Sequence, residues 1–261
     1  MGKNKLKKFA EMETFPNVFQ CGAQEISRQP SAISYPKHEM AGRWRELFFH
    51  NDSPIVLELG CGRGEYTVGL AQKYPDKNFI GVDIKGARMW AGAKQAVQEG
   101  LTNAAFLRTN IEFITSFFAK DEVDEIWITF CDPQMKKATK RLTSTYFMQR
   151  YQQIVKPNGL IHLKTDSPFL YAYTCEMLRL NPYPVLANTA DLYGEAVSLQ
   201  APVFDDARAL QTHYEKQWLD RGMYIKYIEW QLTPLTQWEE PTIEIEKDSY
   251  RSYGRNYNSP N

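Results

Sequence analysis

From Ile55 onward the apolar positions fall into short runs, IVLEL (55–59), FIGV (79–82), AAFLR (104–108), EIWITF (125–130) and GLIHLKT (159–165). Runs of that length, bounded by turn residues, read as strands buried on both faces. The intervening stretches, 65–74, 85–99, 111–118, 143–155 and 169–180, have helical length and spacing, and Pro157, Asn158 and Gly159 are placed to end the fourth of them. Regular alternation of this kind predicts a mainly parallel sheet with helices on both faces. Beyond Asn181 the rhythm changes to turn signals, a helical candidate at 212–220, Gly222 and the alternating run YIKYIEW (224–230). That ending predicts a terminal antiparallel strand pair at one edge of the sheet.

The flanks follow no such pattern. Residues 1–52 read as an irregular basic arm or cap, with Pro16, Pro30 and Pro36 and a short helix near 40–49. Residues 233–261 hold Glu239, Glu240, Glu244, Glu246 and several tyrosines without helical period, and read as an extended, partly ordered tail. The expected organisation is therefore an arm (1–52), one α/β domain (53–232) and a tail (233–261). No internal repeat is visible.

Composition narrows the picture mainly by exclusion. Among 261 residues, Lys plus Arg and Asp plus Glu each number 31, so no global basicity announces a polyanion partner and the distribution of charge must carry that argument. The four cysteines, Cys21, Cys61, Cys131 and Cys175, form no CxxC pair and suggest reduced thiols without zinc. The lysine-rich start lacks an apolar leader core and no apolar run reaches spanning length, so a soluble, cytoplasmic protein with no membrane partner is expected.

The chemistry is concentrated at the ends of the predicted strands. The first runs directly into Gly60, Gly62 and Gly64, and the second ends on Asp83, which can accept the hydroxyl protons of a ribose. A dinucleotide fingerprint would place its third glycine where this chain has Glu65. The observed G-x-G-x-G, preceded by the acid Glu58, instead resembles motif I of S-adenosylmethionine-dependent methyltransferases. A sulfonium and an ammonium favour nearby carboxylates. Further on, Asp132 stands just past EIWITF, and from Pro133 through Thr165 there is no acid, while Lys136, Lys137, Lys140, Arg141, Arg150, Lys156 and Lys164 supply positive charge. That run reads either as a polyanion-binding patch or as a solvated loop and helix face. Asp166 ends the GLIHLKT strand and is equally readable as a helix cap, and Thr212 with Glu215 has the spacing of a capping box.

Taken together, LELGCGRG, YPDKNFIGVD, the strand-end DP with its lysines, HLKTD and THYE resemble, in order and spacing over about residues 51–227, the bacterial tRNA (guanine-N7-)-methyltransferases of the TrmB type. The resemblance implies a Rossmann-like fold and adenosylmethionine as cofactor, with S-adenosylhomocysteine as product and no metal. It implies transfer to N7 of the variable-loop guanine of tRNA by a monomer or weak homodimer. Carried over by position, Gly60, Gly62, Glu58, Asp83, Asn110 and Asp132 would meet the cofactor, with Asp132 also the active-site acid. Lys136, Asp166, Thr212, His213, Tyr214 and Glu215 would meet substrate, and Asp132 or Glu215 would accept the N1 and N2 protons of guanine. The chain departs from the family pattern in having Asn110 for an aspartate, Gln134 for a tryptophan and a basic loop about two residues shorter. Two alternatives remain open, an RNA-binding protein with a degenerate methyltransferase fold and a small-molecule methyltransferase; a nicotinamide oxidoreductase is disfavoured by Glu65.

Overall fold

The computed structural model describes residues 3–20, 37–194 and 204–249. One eight-stranded sheet organises them. Its strands are β1 (Val18–Gln20), β2 (Ile55–Leu59), β3 (Asn78–Asp83), β4 (Ala104–Arg108), β5 (Val123–Thr129), β6 (Val155–Thr165), β7 (Val185–Thr189) and β8 (Lys226–Leu232). The spatial order is β1-β4-β3-β2-β5-β6-β8-β7; every pair is parallel except those made by β8, which runs antiparallel to both β6 and β7. The order reverses direction at β2, where a doubly wound sheet opens a crevice at its carboxyl edge.

The expected class is thus the observed one, and the reason is visible in β2. All five of its residues are buried; Ile55, Leu57 and Leu59 belong to one core cluster and Val56 to the other. A strand buried on both faces and apolar at every position but Glu58 needs helices over both faces. They are α2 (Glu65–Lys73) and α3 (Gly86–Gln98) on one face, and α5 (Thr145–Tyr151) and α6 (Pro168–Leu180) on the other, with the short α4 (Ile114–Phe117) after β4. Near the end come α7 (Asp205–Ala209) and α8 (His213–Leu219).

Several local expectations are corrected. Residues 3–20 are not irregular: α1 (Lys3–Met12) packs against α3, and β1 adds to the sheet edge beside β4. The helix expected at 143–155 ends after Tyr151, and Pro157, Asn158 and Gly159 lie inside β6. There the ladder jumps from Val123 opposite Val155 to Glu125 opposite Leu160, and exposed Asn158 takes φ 64° to turn the bulge. The stretch 111–118 splits into a tight turn (Ile111–Phe113) and α4, and the helix near 40–49 shrinks to one wide turn (Arg45–Phe49).

Described residues of the tail carry no regular element, yet they are fastened side chain to backbone. Gln152 accepts the amide of Leu235 (2.7 Å) and donates to its carbonyl (2.9 Å); Asn181 does the same for Glu239 (3.0 and 2.9 Å). Leu235, Trp238 and Ile245 pack on the core. Two acids finish the attachment at helix starts, where unpaired amides favour anions. Glu240 accepts from the amide and hydroxyl of Thr145 in α5, and buried Asp248 accepts from the amide of Phe169 and the hydroxyl of Ser167 at α6.

Candidate active site

The carboxyl ends of β2, β3, β4 and β5 surround a cleft of about 550 Å³. Gly60 and Gly62 form its floor and Gly64 follows them, at φ 78°, 54° and 73°, values that disfavour a side chain. Their tasks differ. Around Gly60 and Gly62 the nearest atoms to an added Cβ are 3.8 and 3.9 Å away, so these two leave room for a ligand against the backbone. At Gly64 a Cβ would stand 2.5 Å from Phe106, and at Gly92 of α3 one would stand 2.6 Å from the Arg63 carbonyl. Close helix packing therefore rests on Gly64 with Gly92. Glu65, the residue that argued against a dinucleotide site, accepts the His213 amide at 2.7 Å and ties α2 to α8.

Two carboxylates face this floor. Asp83 accepts the Gly62 amide (2.9 Å) through one oxygen and the Lys85 amide (2.8 Å) through the other, which fixes its plane and leaves one lone pair on each oxygen. Glu58 is buried; Thr67 donates both its amide (2.9 Å) and its hydroxyl (2.6 Å) to one oxygen, and the Thr129 hydroxyl donates to the other at 2.7 Å. Desolvation outweighs those donors and, with Asp83 nearby, pushes the Glu58 carboxyl up to about 7. An open glycine floor, an oriented acid at a strand end and a buried acid beside it together fit a cationic nucleoside cofactor. Asn110 also lines the cleft, but its Oδ1 accepts the Glu112 amide at 3.2 Å and caps the turn after β4.

Asp132 lines the opposite wall. It is exposed, and its Oδ1 accepts the Gln134 amide at 2.9 Å. Phe130 and Gln134, two residues to either side, hold φ 48° and 49°, so the backbone is strained on both flanks of this acid. Thr212 and exposed Tyr214 reach the cleft from α8, whose start carries the complete Thr212 to Glu215 capping box. His213 points elsewhere, into a shallow groove with Gln72, Gln95 and Lys216.

Glu215 is not available to a base. It is fully buried, its carboxylate pairs with Lys164 at 2.7 Å and accepts the Tyr193 hydroxyl at 2.6 Å. Asp166 is likewise buried outside the cleft lining, and its carbonyl accepts from Lys226 at 3.0 Å; Ser167, not Asp166, caps α6. Lys136 is exposed on the loop after Asp132 but does not line the cleft.

The basic run read between 133 and 165 does not form one patch. Arg141 is buried, stacked on Tyr173 and Phe169 and donating to the carbonyls of Pro133 and Gln134; Arg150 is buried over Tyr146. Lys164 is internal, Lys140 pairs with Glu112 at 2.6 Å, and Lys156 pairs with Asp124. Only Lys136 and Lys137 of that run are exposed with no ion pair found among the described residues. Cations at the cleft itself are Lys140 of that run together with Arg63, Lys85 and Arg88 from outside it. Arg63 stands two residues before Glu65 and Lys85 two after Asp83, so in the sequence no run of one sign marks Arg63, Lys85 and Arg88.

Among the described residues no cluster of His, Cys, Asp and Glu could hold a metal ion, and no helix is long and apolar enough to cross a membrane. Cys61 and Cys131 are buried at the cleft, and burial raises the Cys61 thiol well above its ordinary value; Cys21 lies outside the described residues.

Comparison with known proteins adds the following. A protein-family profile described as "Putative methyltransferase" matches residues 52–226. The tRNA (guanine-N(7)-)-methyltransferase of Bacteroides thetaiotaomicron is 56% identical over 259 residues, 99% of this chain and 98% of that one. The protein of the same name from Porphyromonas gingivalis is 57% identical, covering 95% and 98%, and that from Clostridium acetobutylicum is 34% identical, covering 78% and 92%. Among solved structures, the 16S rRNA methyltransferase KamB aligns with TM-score 0.55 and 14% identity over 76% of this chain and 96% of its own. At that identity the likeness is one of fold.

Proposed function

Since the chain belongs to the tRNA (guanine-N(7)-)-methyltransferase family, we propose that its cleft holds S-adenosylmethionine on the Gly60 to Gly62 floor and presents the variable-loop guanine of tRNA between Asp132 and Tyr214. The enzyme transfers a methyl group to N7 of guanine in tRNA. What carries the site assignment is that the glycine floor, Asp83 and Asp132 line one cleft with Thr212 and Tyr214.

The cofactor, when bound, supplies an electrophilic methyl group. Guanine N7 already carries a lone pair, so no proton need be removed, and the residues act chiefly by placing the base in line. Asp132 accepts the N1 and N2 protons of guanine and stabilises the positive charge that grows on the purine. Glu215, which is occupied by Lys164 and Tyr193, holds α8 so that Thr212 and Tyr214 reach the base. Asp166 supports the wall from behind, and Lys136 meets a phosphate. The variable-loop guanine is displaced from its tertiary contacts to enter the cleft. Incubation with labelled adenosylmethionine and unmodified tRNA, followed by mapping, tests this. Label at N7 of the variable-loop guanine is expected, whereas tRNA retention without incorporation would favour an RNA-binding role alone.

Glu58 gives cofactor binding a pH signature. Its folded value, about 7, lies above the ordinary 4.5, so between those values the free protein holds a proton that the unfolded chain has lost. Its contribution to stability therefore falls as pH rises through that window. A cationic cofactor favours the carboxylate, so affinity should rise between pH 6 and 8, with about half a proton released on binding at pH 7. Calorimetry in buffers of different ionisation enthalpy measures that release. A pH-independent affinity would remove Glu58 from the cofactor's electrostatics.

A further inference from the structure

We propose that the face built by α1 and α3 is the surface that holds the tRNA backbone beside the target nucleotide. This rests on the tRNA methyltransferase reading and says where the polyanion lies. The basic run after Asp132 is largely buried or paired, so it leaves the electrostatic role unfilled. A different region meets the requirement.

Between them, residues 3–12 and 85–98 hold seven cationic residues, Lys3, Lys5, Lys7, Lys8, Lys85, Arg88 and Lys94, against one acid, Glu11. That acid is neutralised where it stands, accepting from Lys94 and from the Trp90 indole, both at 2.8 Å, contacts that lower its carboxyl below the ordinary range. In a chain of zero net charge, two packed helices of one sign are a segregated field.

Their alignment directs that field to the cleft. Phe9 sits against Gly86, Glu11 against Trp90 and Lys94, and Asn17 donates to the Ala93 carbonyl at 3.1 Å. Residue numbers rise together along the two helices, so α1 runs alongside α3 and both begin at the carboxyl edge of the sheet. Lys85 and Arg88, at the start of α3, already line the cleft. Lys3 is six residues before Phe9, about 9 Å further along the axis at 1.5 Å per residue. The helix is held rigidly enough to act as a rail: the Lys8 ammonium lies 4.4 Å from the Trp90 ring centre and the Arg108 guanidinium 4.5 Å from that of Phe9. Lys7 is exposed. A strand of RNA whose base enters the cleft past Arg88 would carry its neighbouring phosphates onto this face.

The test is tRNA binding by the full chain across a salt series. Replacing both lysines, Lys7→Ser with Lys8→Ser, should lower affinity about tenfold near 0.15 M salt and reduce the slope of log affinity against log salt by about 1.4 to 1.8. Lys156→Ser, at the other end of the sheet, should leave both unchanged. Lys7→Glu alone, which keeps the Lys8 contact with Trp90, should weaken binding as well, and unaltered cofactor affinity will show that the fold is intact. A wild-type slope in the Lys7 variants, or an equal loss in Lys156→Ser, overturns the proposal. So does loss of binding to anionic vesicles with tRNA binding untouched. If the wild-type protein neither binds nor methylates tRNA, the underlying reading fails instead.

Discussion

Asp132→Ala is expected to reduce methyl transfer at least a hundredfold at saturating tRNA while leaving the chain folded. The size follows from what the residue supplies. It is a fixed negative charge at the edge of the cleft, and removing one such group from an electrostatically organised site commonly costs about 10² to 10³ in rate. Its position is held by the Asx bond to the Gln134 amide and by the strained backbone at Phe130 and Gln134. Asp132→Asn separates the two contributions. The amide oxygen can still accept from Gln134, so geometry persists, but the charge is gone and one acceptor for guanine becomes a donor. A loss in Asp132→Asn close to that of Asp132→Ala would locate the effect in charge and base recognition. Near-normal turnover of Asp132→Ala, with circular dichroism unchanged, would falsify the assignment.

Lys164→Met should lower stability by about 3 to 5 kcal/mol, the usual cost of stranding one half of a buried ion pair. Lys164 projects from the carboxyl end of β6 with no exposed surface, and burial brings its ammonium down to about 8, still protonated at neutral pH. It donates to Glu215, to the Ala207 carbonyl and, at 3.0 Å, to the Leu210 carbonyl, so one ammonium gathers α7, the link and the start of α8. Without it the buried Glu215 carboxylate loses its cationic partner and two carbonyls lose a donor. Adding Glu215→Gln should recover part of the loss, because the uncompensated charge disappears. At temperatures where the variant stays folded, KM for tRNA should rise more than kcat falls, since α8 carries Thr212 and Tyr214 into the cleft. A thermal midpoint within a few degrees of the parent would show that Lys164 is dispensable.

What the sequence revealed depended on whether a residue's role was set by local neighbours or by distant ones. The central strands β2 to β6 were legible because each is apolar on both faces, and Asp83 and Asp132 because they stand at strand ends followed by turns. The capping box of Thr212 and Glu215 was legible for the same reason: its two members are three residues apart. Its partner Lys164 is 51 residues away, so the burial of Glu215 could not be read. Charge was misread in the same manner. Arg141 becomes internal by stacking on Phe169 and Tyr173, and nothing in the spelling of the loop distinguishes it from Lys136. β1 escaped notice because three residues show no period, and β7 because only Ala187 of its five is buried.

The tail attachment bears on how the molecule would respond to cutting and to exchange with solvent. The family match ends at residue 226, six residues short of the end of β8, so a fragment trimmed to that boundary would also discard Glu240 and Asp248 and leave two helix starts without their acceptors. Such a fragment is a poor unit for expression, whatever its completeness by alignment. In the intact chain, the amides of Leu235 and Glu239 should exchange with deuterium far more slowly than their neighbours in a segment without helix or strand, because each is held by a side-chain amide acting as a one-residue partner strand.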